Sequence, residues 1–164
     1  MELLVDKLEL DTIDLHLLDQ LQTDASISNQ DLAARVHVSP PTCLRRVKRL
    51  KDLGLIERQV AVLNPDKLKA LVGHGLTAIV EVTLTQQNAE LLFAFEARIT
   101  PERAVQQCYR VSPGPDFVLI VQVRDMAEYL VLVQRVLTAD AQVRNVKTFF
   151  SVLRSKFEPK IALQ

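Results

Sequence analysis

Five basic side chains, Arg45, Arg46, Lys48, Arg49 and Lys51, fall within seven consecutive positions, and only Asp52 opposes them nearby. Guanidinium and ammonium groups at this density bind phosphate oxygens, and arginine also pairs with the O6 and N7 edge of guanine. No comparable arrangement serves catalysis. His16, His37 and His74 are each without an acid, serine or cysteine placed in sequence as a nucleophile or general base. Cys43 and Cys108 stand apart, with neither a CxxC spacing nor a histidine pair, so no metal site or disulfide framework is expected and both read as buried, reduced thiols.

A basic cluster reads DNA only if an element presents it. Residues 11 to 22, DTIDLHLLDQLQ, put Ile13, Leu17, Leu18 and Leu21 on one helical stripe, with Asp11 as N-cap and Asp14 at the third helical position. SNQDLAARV follows, opening on Ser28 with Asp31 three residues later and turning Leu32, Ala33 and Val36 inward. After the break HVS, Ser39 caps a third helix whose first positions, Pro40 and Pro41, need no backbone N–H. Leu44, Val47, Leu50 and Leu53 are expected to form its apolar stripe, and Gly54 to end it in a left-handed cap. Three short capped helices, the last two joined by a tight turn, predict a helix-turn-helix. On that phase Thr42, Arg45, Arg46 and Arg49 lie on the outer side of the third helix, flanked by Lys48 and Lys51.

Position along the helix then sorts the roles. Ser39, Pro41 and Thr42 stand at the N-terminal end, which reaches base edges in this motif, with Arg45 and Arg46 one turn on. Lys48, Arg49 and Lys51 are expected to hold phosphates. The charge is local: up to residue 34, Lys7 alone faces Glu2, Asp6, Glu9, Asp11, Asp14, Asp19, Asp24 and Asp31, and the whole chain is neutral, so nothing global favours nucleic acid. A solvated amphipathic helix is the bland alternative, but such faces usually mix signs.

Downstream, LIERQVAVLNP reads as a short strand or wing before a turn at Asn64 and Pro65, and residues 58 to 75 as a linker loosened by Gly73 and Gly75. From residue 76 the signals alternate: LTAIVEVTL (strand), NAELLFAFEARI (helix), AVQQCYRV (strand), DFVLIVQV (strand), MAEYLVLVQRVLT (helix) and VRNVKTFFSVL (strand). The order βαββαβ predicts an α+β chain: a helix-turn-helix domain over residues 1–57, then a ferredoxin-like domain over 76–164. A sheet this apolar on both faces, with helices on one, predicts a homodimer built on the other.

At 164 residues the chain can bury one good core or two small ones. No stretch is long and apolar enough to span a bilayer, and MELLVDKLELD lacks the basic start and apolar middle of a signal peptide, so no membrane partner and a cytoplasmic location are expected.

The pieces LDxxDxxLLxxLQ, DLAxxVxVSPxxCLRRVxRLxxxGLI and NPxxL, followed by the βαββαβ pattern, resemble the Lrp/AsnC (feast/famine) transcription regulators over nearly the whole chain. The resemblance implies a regulator that binds double-stranded DNA through its N-terminal domain, dimerises through its sheet, assembles further, often into octamers, and binds an amino acid or related metabolite between dimers, with no cofactor. That family usually shows a hydroxyl residue, a glycine, two variable residues, an aspartate and an aromatic or apolar residue after the second strand of the tail. VSPGPDF matches at Ser112, Asp116 and Phe117, with Pro113 in the glycine's place and Gly114 and Pro115 following. The resemblance thus implies an effector with Asp116 facing its ammonium group and turn amides facing its carboxylate, and Asp125, Met126, Thr148 and Ser151 as further candidates. The same turn can also be a tight Pro-Gly hairpin without a ligand, and Asp125 simply an N-cap. In place of the glycine many relatives have after NPxxL, Lys69 stands in the linker. Two other readings remain open at this level: a tetrapyrrole decarboxylase, as some proteins that look like this family are, and a metabolite-sensing assembly module without DNA binding.

Overall fold

The computed structural model describes residues 9–73 and 75–163. The acids and lysine expected at positions 2, 6 and 7, and His74, lie outside these. Two compact units result: one runs through Val62 and takes in the stretch from Lys156 onward, the other is Leu63–Ser155.

The first unit holds α1 (Thr12–Thr23), α2 (Asn29–Arg35) and α3 (Pro40–Asp52). Local chemistry sets their ends. Asp11 and Asp14 form a reciprocal capping box on α1, and Ser28 accepts from the Asp31 N–H to start α2. Ser39 occupies the N-cap position of α3 but makes no bond to a backbone amide; with prolines at the first two helical positions, its hydroxyl pairs with that of Thr42 at 2.9 Å. Both α2 and α3 end in Schellman turns. After α2, Val38 N–H donates to the Ala33 carbonyl and His37 N–H to that of Ala34, with His37 at φ +56°. After α3, Leu55 and Gly54 donate to Leu50 and Lys51, with Gly54 at φ +72°. Leu17, Leu32, Ala33, Val36, Cys43 and Leu50 form the core.

The helical phase of α3 differs from the sequence expectation. Cys43 is fully buried, whereas Leu44 is 61% exposed and Leu53 40% exposed. The inward row is Cys43, Arg46, Val47 and Leu50, about one residue round from the expected stripe. A second correction concerns residues 55–63, expected as a strand or wing: they run without strand pairing and are mostly exposed. The chain then forms a helix the sequence reading missed, α4 (Pro65–Val72), opened by Asn64, whose side chain accepts from the Lys67 N–H. Position 69 falls inside α4.

The second unit contains β1 (Leu76–Leu84), α5 (Ala89–Ile99), β2 (Val105–Arg110), β3 (Phe117–Val123), α6 (Met126–Val133, continued by a π-helical turn, Gln134–Thr138) and β4 (Val143–Phe150). The strands form one antiparallel sheet in the order β2-β3-β1-β4, as the split βαββαβ plan requires. Ala78, Val80, Val82 and Leu84 alternate inward on β1, as Phe117, Leu119, Val121 and Val123 do on β3, against Phe95, Ile99, Tyr129 and Leu132 of the helices. On the opposite face Ile79 sits between Ile120 and Phe149, and Val118 between Glu81 and Tyr109. Ile79, Tyr109 and Phe149 are exposed there, leaving an apolar strip along the sheet.

Candidate functional site

The basic cluster of α3 separates into two sets. Arg46 points inward: its Nη1 lies 2.8 Å from Asp14 and 2.8 Å from Asp11, with the side chain only 18% exposed. Arg49 lies beside it, 3.2 Å from the other oxygen of Asp14 and 3.1 Å from the Glu9 carbonyl. Asp14 is 1% exposed, so two guanidinium groups meet one buried carboxylate, joining the first turn of α1 to the middle of α3. The Asp14 backbone amide and Arg46 hold the Asp11 carboxyl below the usual aspartate range. Bonding to Asp14, then Asp11, pushes Arg46 further up. One buried atom of the network, Arg46 Nε, has no hydrogen-bond partner among the described residues.

This corrects the expectation that Arg46 lies on the outer face of α3; Arg49 stays 42% exposed beside it. Both are fastened to α1. Arg45 and Lys48 are exposed and have no hydrogen-bond or ion-pair partner among the described residues, while Lys51 reaches the Gln59 side chain at 3.2 Å. Ser39 and Pro41 are exposed at the start of the helix and Thr42 is half-buried. The outward face therefore runs Pro41, Leu44, Arg45, Lys48 and Lys51. Sequence reasoning missed Asp14 as anchor because an aspartate at the third helical position already has a capping role, and nothing local reveals its second one.

In the second unit the expected effector residues fall into two groups. Ser112, Pro113 and Gly114 are exposed on the β2–β3 hairpin, Pro115 is half-buried, and Gly114 has φ +124°, a conformation that favours glycine. Asp116 is 5% exposed, and its carboxylate accepts from the Leu84 N–H at 2.7 Å, while its own N–H donates to the Val82 carbonyl. That carboxylate pins the hairpin to the end of β1 and is not presented openly to an ammonium group. Phe117 is core, stacked on Phe95 at 4.5 Å.

Asp125, Met126 and Ser151 lie toward the opposite end of β1, with Thr148 at its middle. Asp125 caps α6 by accepting from the Glu128 N–H, Met126 is 45% exposed, and the Ser151 N–H donates to Thr77. Thr148 pairs with Val80 and bonds the Tyr129 hydroxyl beneath the helices. Leu84 and Thr77 are seven strand positions apart, about 24 Å at about 3.4 Å per residue. Within one chain, the hairpin and Ser151 therefore do not converge on a single small ligand. Among the described residues no group of three or more His, Cys, Asp or Glu is placed to hold a metal, and no helix is long and apolar enough to cross a membrane.

Comparison with known proteins finds two family models in the chain. Residues 77–161 match the model of the Lrp/AsnC ligand binding domain, and residues 10–57 that of a winged helix-turn-helix DNA-binding domain. The chain is 39% identical over 140 residues to a leucine-responsive regulatory protein of Haemophilus influenzae, covering 85% of this chain and 82% of that one. Against the leucine-responsive regulatory protein of Escherichia coli K12, identity is 36%, covering 86% and 84%. An AsnC family transcriptional regulator from Agrobacterium tumefaciens superposes with a TM-score of 0.82 at 30% identity, covering 94% of this chain and 97% of that one. A Neisseria meningitidis transcriptional regulator solved as an L-Met complex gives 0.83 at 27% identity, again covering 94% and 97%. The chain belongs to the Lrp/AsnC family of DNA-binding transcriptional regulators.

Proposed function

We propose that the protein binds double-stranded DNA as a homodimer, with α3 in the major groove, and that an amino acid adjusts this binding through the C-terminal unit. The observation that carries the DNA contacts is the division of the basic cluster. Arg46 and Arg49 are committed to Asp14, so base reading falls to Arg45, with Ser39, Pro41 and Thr42 at the helix start, and phosphate binding to Lys48 and Lys51. Arg46 and Arg49 act as positioning residues that hold the helix.

Dimerisation through the open sheet face is supported by the strip of Ile79, Ile120, Val118, Tyr109 and Phe149. An effector site that draws on both the Ser112–Asp116 hairpin and the Asp125, Met126, Thr148 and Ser151 region needs more than one copy of the chain. Assembly of dimers into a higher oligomer, an octamer among the forms expected, belongs to the same reading, as does a cytoplasmic location. The L-Met complex of the Neisseria protein and the leucine-responsive names of other relatives support an amino acid as ligand. The exposed Arg45 and Lys48 favour DNA over the tetrapyrrole decarboxylase reading.

The test is recovery of bound fragments from a sheared genomic pool, with and without a panel of amino acids. Discrete fragments should be enriched, and at least one amino acid should change the enrichment. No enrichment under any condition overturns the regulator reading; enrichment that no amino acid changes removes the sensor.

A further inference from the structure

The first unit is built from both ends of the described chain. After β4 the chain runs to Lys156, and the stretch beyond it clusters with α1–α3, not with the sheet that precedes it. It lies along the C-terminal half of α1. The side-chain amide of Gln22 brackets one residue of this stretch, its Nε2 donating to the Ile161 carbonyl at 3.1 Å and its Oε1 accepting from the Ile161 N–H at 2.7 Å. That is the pairing a neighbouring β-strand would offer, supplied by one glutamine. Lys160 adds an ion pair to Asp19 at 2.8 Å and a bond to the Thr23 hydroxyl at 3.1 Å. Ala162 and Leu163 form one wall of a concavity of about 540 Å³ whose other lining includes His16, Gln20 and Arg35.

We infer that residues 156–163 are a strap that docks on α1 of the DNA-binding unit and gives that unit a second covalent tether to the sheet unit, so that strap docking restricts the half-site spacings the dimer accepts. Two features make the strap detachable. Its anchor points are partly exposed, Ile161 being 69% exposed, and ordering eight residues opposes contacts at partly exposed positions, among them the Gln22 bracket and the screened Lys160–Asp19 ion pair. A DNA-binding unit joined through residues 62–63 alone samples a wider range of separations from its dimer mate than one also held through residues 155–156. Docked straps favour one separation of the two reading helices; released straps allow several.

Docking does not depend on the DNA-binding reading, whereas the spacing consequence does. The experiment therefore has two arms on the full chain, comparing wild type with Gln22→Ala and Lys160→Ala. In hydrogen exchange, the Ile161 amide, which donates to the Gln22 side chain, should be protected at least about tenfold over a free peptide, and Gln22→Ala should bring it within about twofold of that peptide. Free-peptide exchange in the wild type, or protection that neither variant reduces, overturns the strap. In selection from a randomised duplex pool, the wild type should recover one half-site spacing and the variants several. Unchanged spacing in variants whose straps have lost protection overturns the tether. Failure of all three proteins to recover any sequence overturns the DNA-binding reading and leaves the exchange result to decide the strap.

Discussion

Replacing Asp14 with asparagine keeps the side chain's shape and removes the charge at the centre of the α1–α3 network. The carboxylate receives Arg46 at 2.8 Å and Arg49 at 3.2 Å while 1% exposed. Charge-assisted bonds of this kind contribute about 1.5–3 kcal/mol each, and breaking a buried pair costs about 3–5 kcal/mol when the remaining charge is stranded. Neither arginine is wholly stranded here. Arg46 keeps Asp11, and Arg49, 42% exposed, is reached by water. The expected loss for Asp14→Asn is therefore near the lower bound, about 3 kcal/mol, or roughly 150-fold in the opening equilibrium. The chain has no tryptophan and its two tyrosines, Tyr109 and Tyr129, are in the other unit, so tyrosine fluorescence does not report on α3. Hydrogen exchange of the α3 amides does, with tyrosine fluorescence as an internal control that should not change. An α3 exchange rate within about threefold of wild type would refute the anchor. So would an Arg46→Ala variant that loses DNA affinity with its α3 protection intact.

Arg45→Ala and Lys48→Ala should leave α3 exchange unchanged and weaken DNA binding; Lys48→Ala should also reduce the slope of log affinity against log salt by about one, measured by fluorescence anisotropy over a salt series. His37, at φ +56° in the turn between α2 and α3, is an exposed L-residue in left-handed conformation, and His37→Gly should stabilise the first unit by about 1 kcal/mol in exchange measurements. Asp116→Ala leaves the Leu84 N–H without its acceptor and should cost the second unit about 1–3 kcal/mol in urea unfolding followed by tyrosine fluorescence, with α3 exchange unaffected. Asp11 titrates lower when folded, so its contribution is fully present above its unfolded value and is lost as pH falls through the folded one. Exchange of α1 should accordingly rise only in acid below the usual aspartate range, and Asp11→Asn should flatten that dependence.

The strands were the most legible elements. Period-two alternation on β1 is visible in LTAIVEVTL, and the observed burial follows it residue by residue at Ala78, Val80, Val82 and Leu84. Caps were legible where one side chain does the work, at Asp11 and Ser28. The phase of α3 was not. CLRRVKRL offers two apolar rows a residue apart, and hydropathy prefers Leu44 to Cys43; choosing the true row requires turning Arg46 inward, which only a carboxylate 32 residues earlier makes tolerable. α4 was missed because Gly73 and Gly75 drew attention from Pro65, whose place at the first helical position is a start signal. Residues 55–63 have strand composition, but a strand needs a partner, and none pairs with them among the described residues.

The corrected phase also changes the electrostatic account of DNA binding. Read from sequence, the acids up to residue 34 and the five bases of the reading helix are separate blocks of opposite sign. In the fold, Asp11 and Asp14 are paired with Arg46 and Arg49, so two acids and two bases leave the outward account together. The solvent-facing bases of α3 outside those pairs are Arg45, Lys48 and Lys51, with Asp52 at the end. The net charge of the helix is unchanged by this, but its distribution is sharper. The positive surface narrows to one row along the helix and the neutralised pairs hold that row in place. Because those pairs are partly shielded from solvent, added salt should weaken DNA affinity well before it loosens α3. Affinity and α3 exchange followed together across a salt series should therefore part company, affinity falling while exchange stays flat; a parallel change would mean that the anchor is as exposed as the reading face.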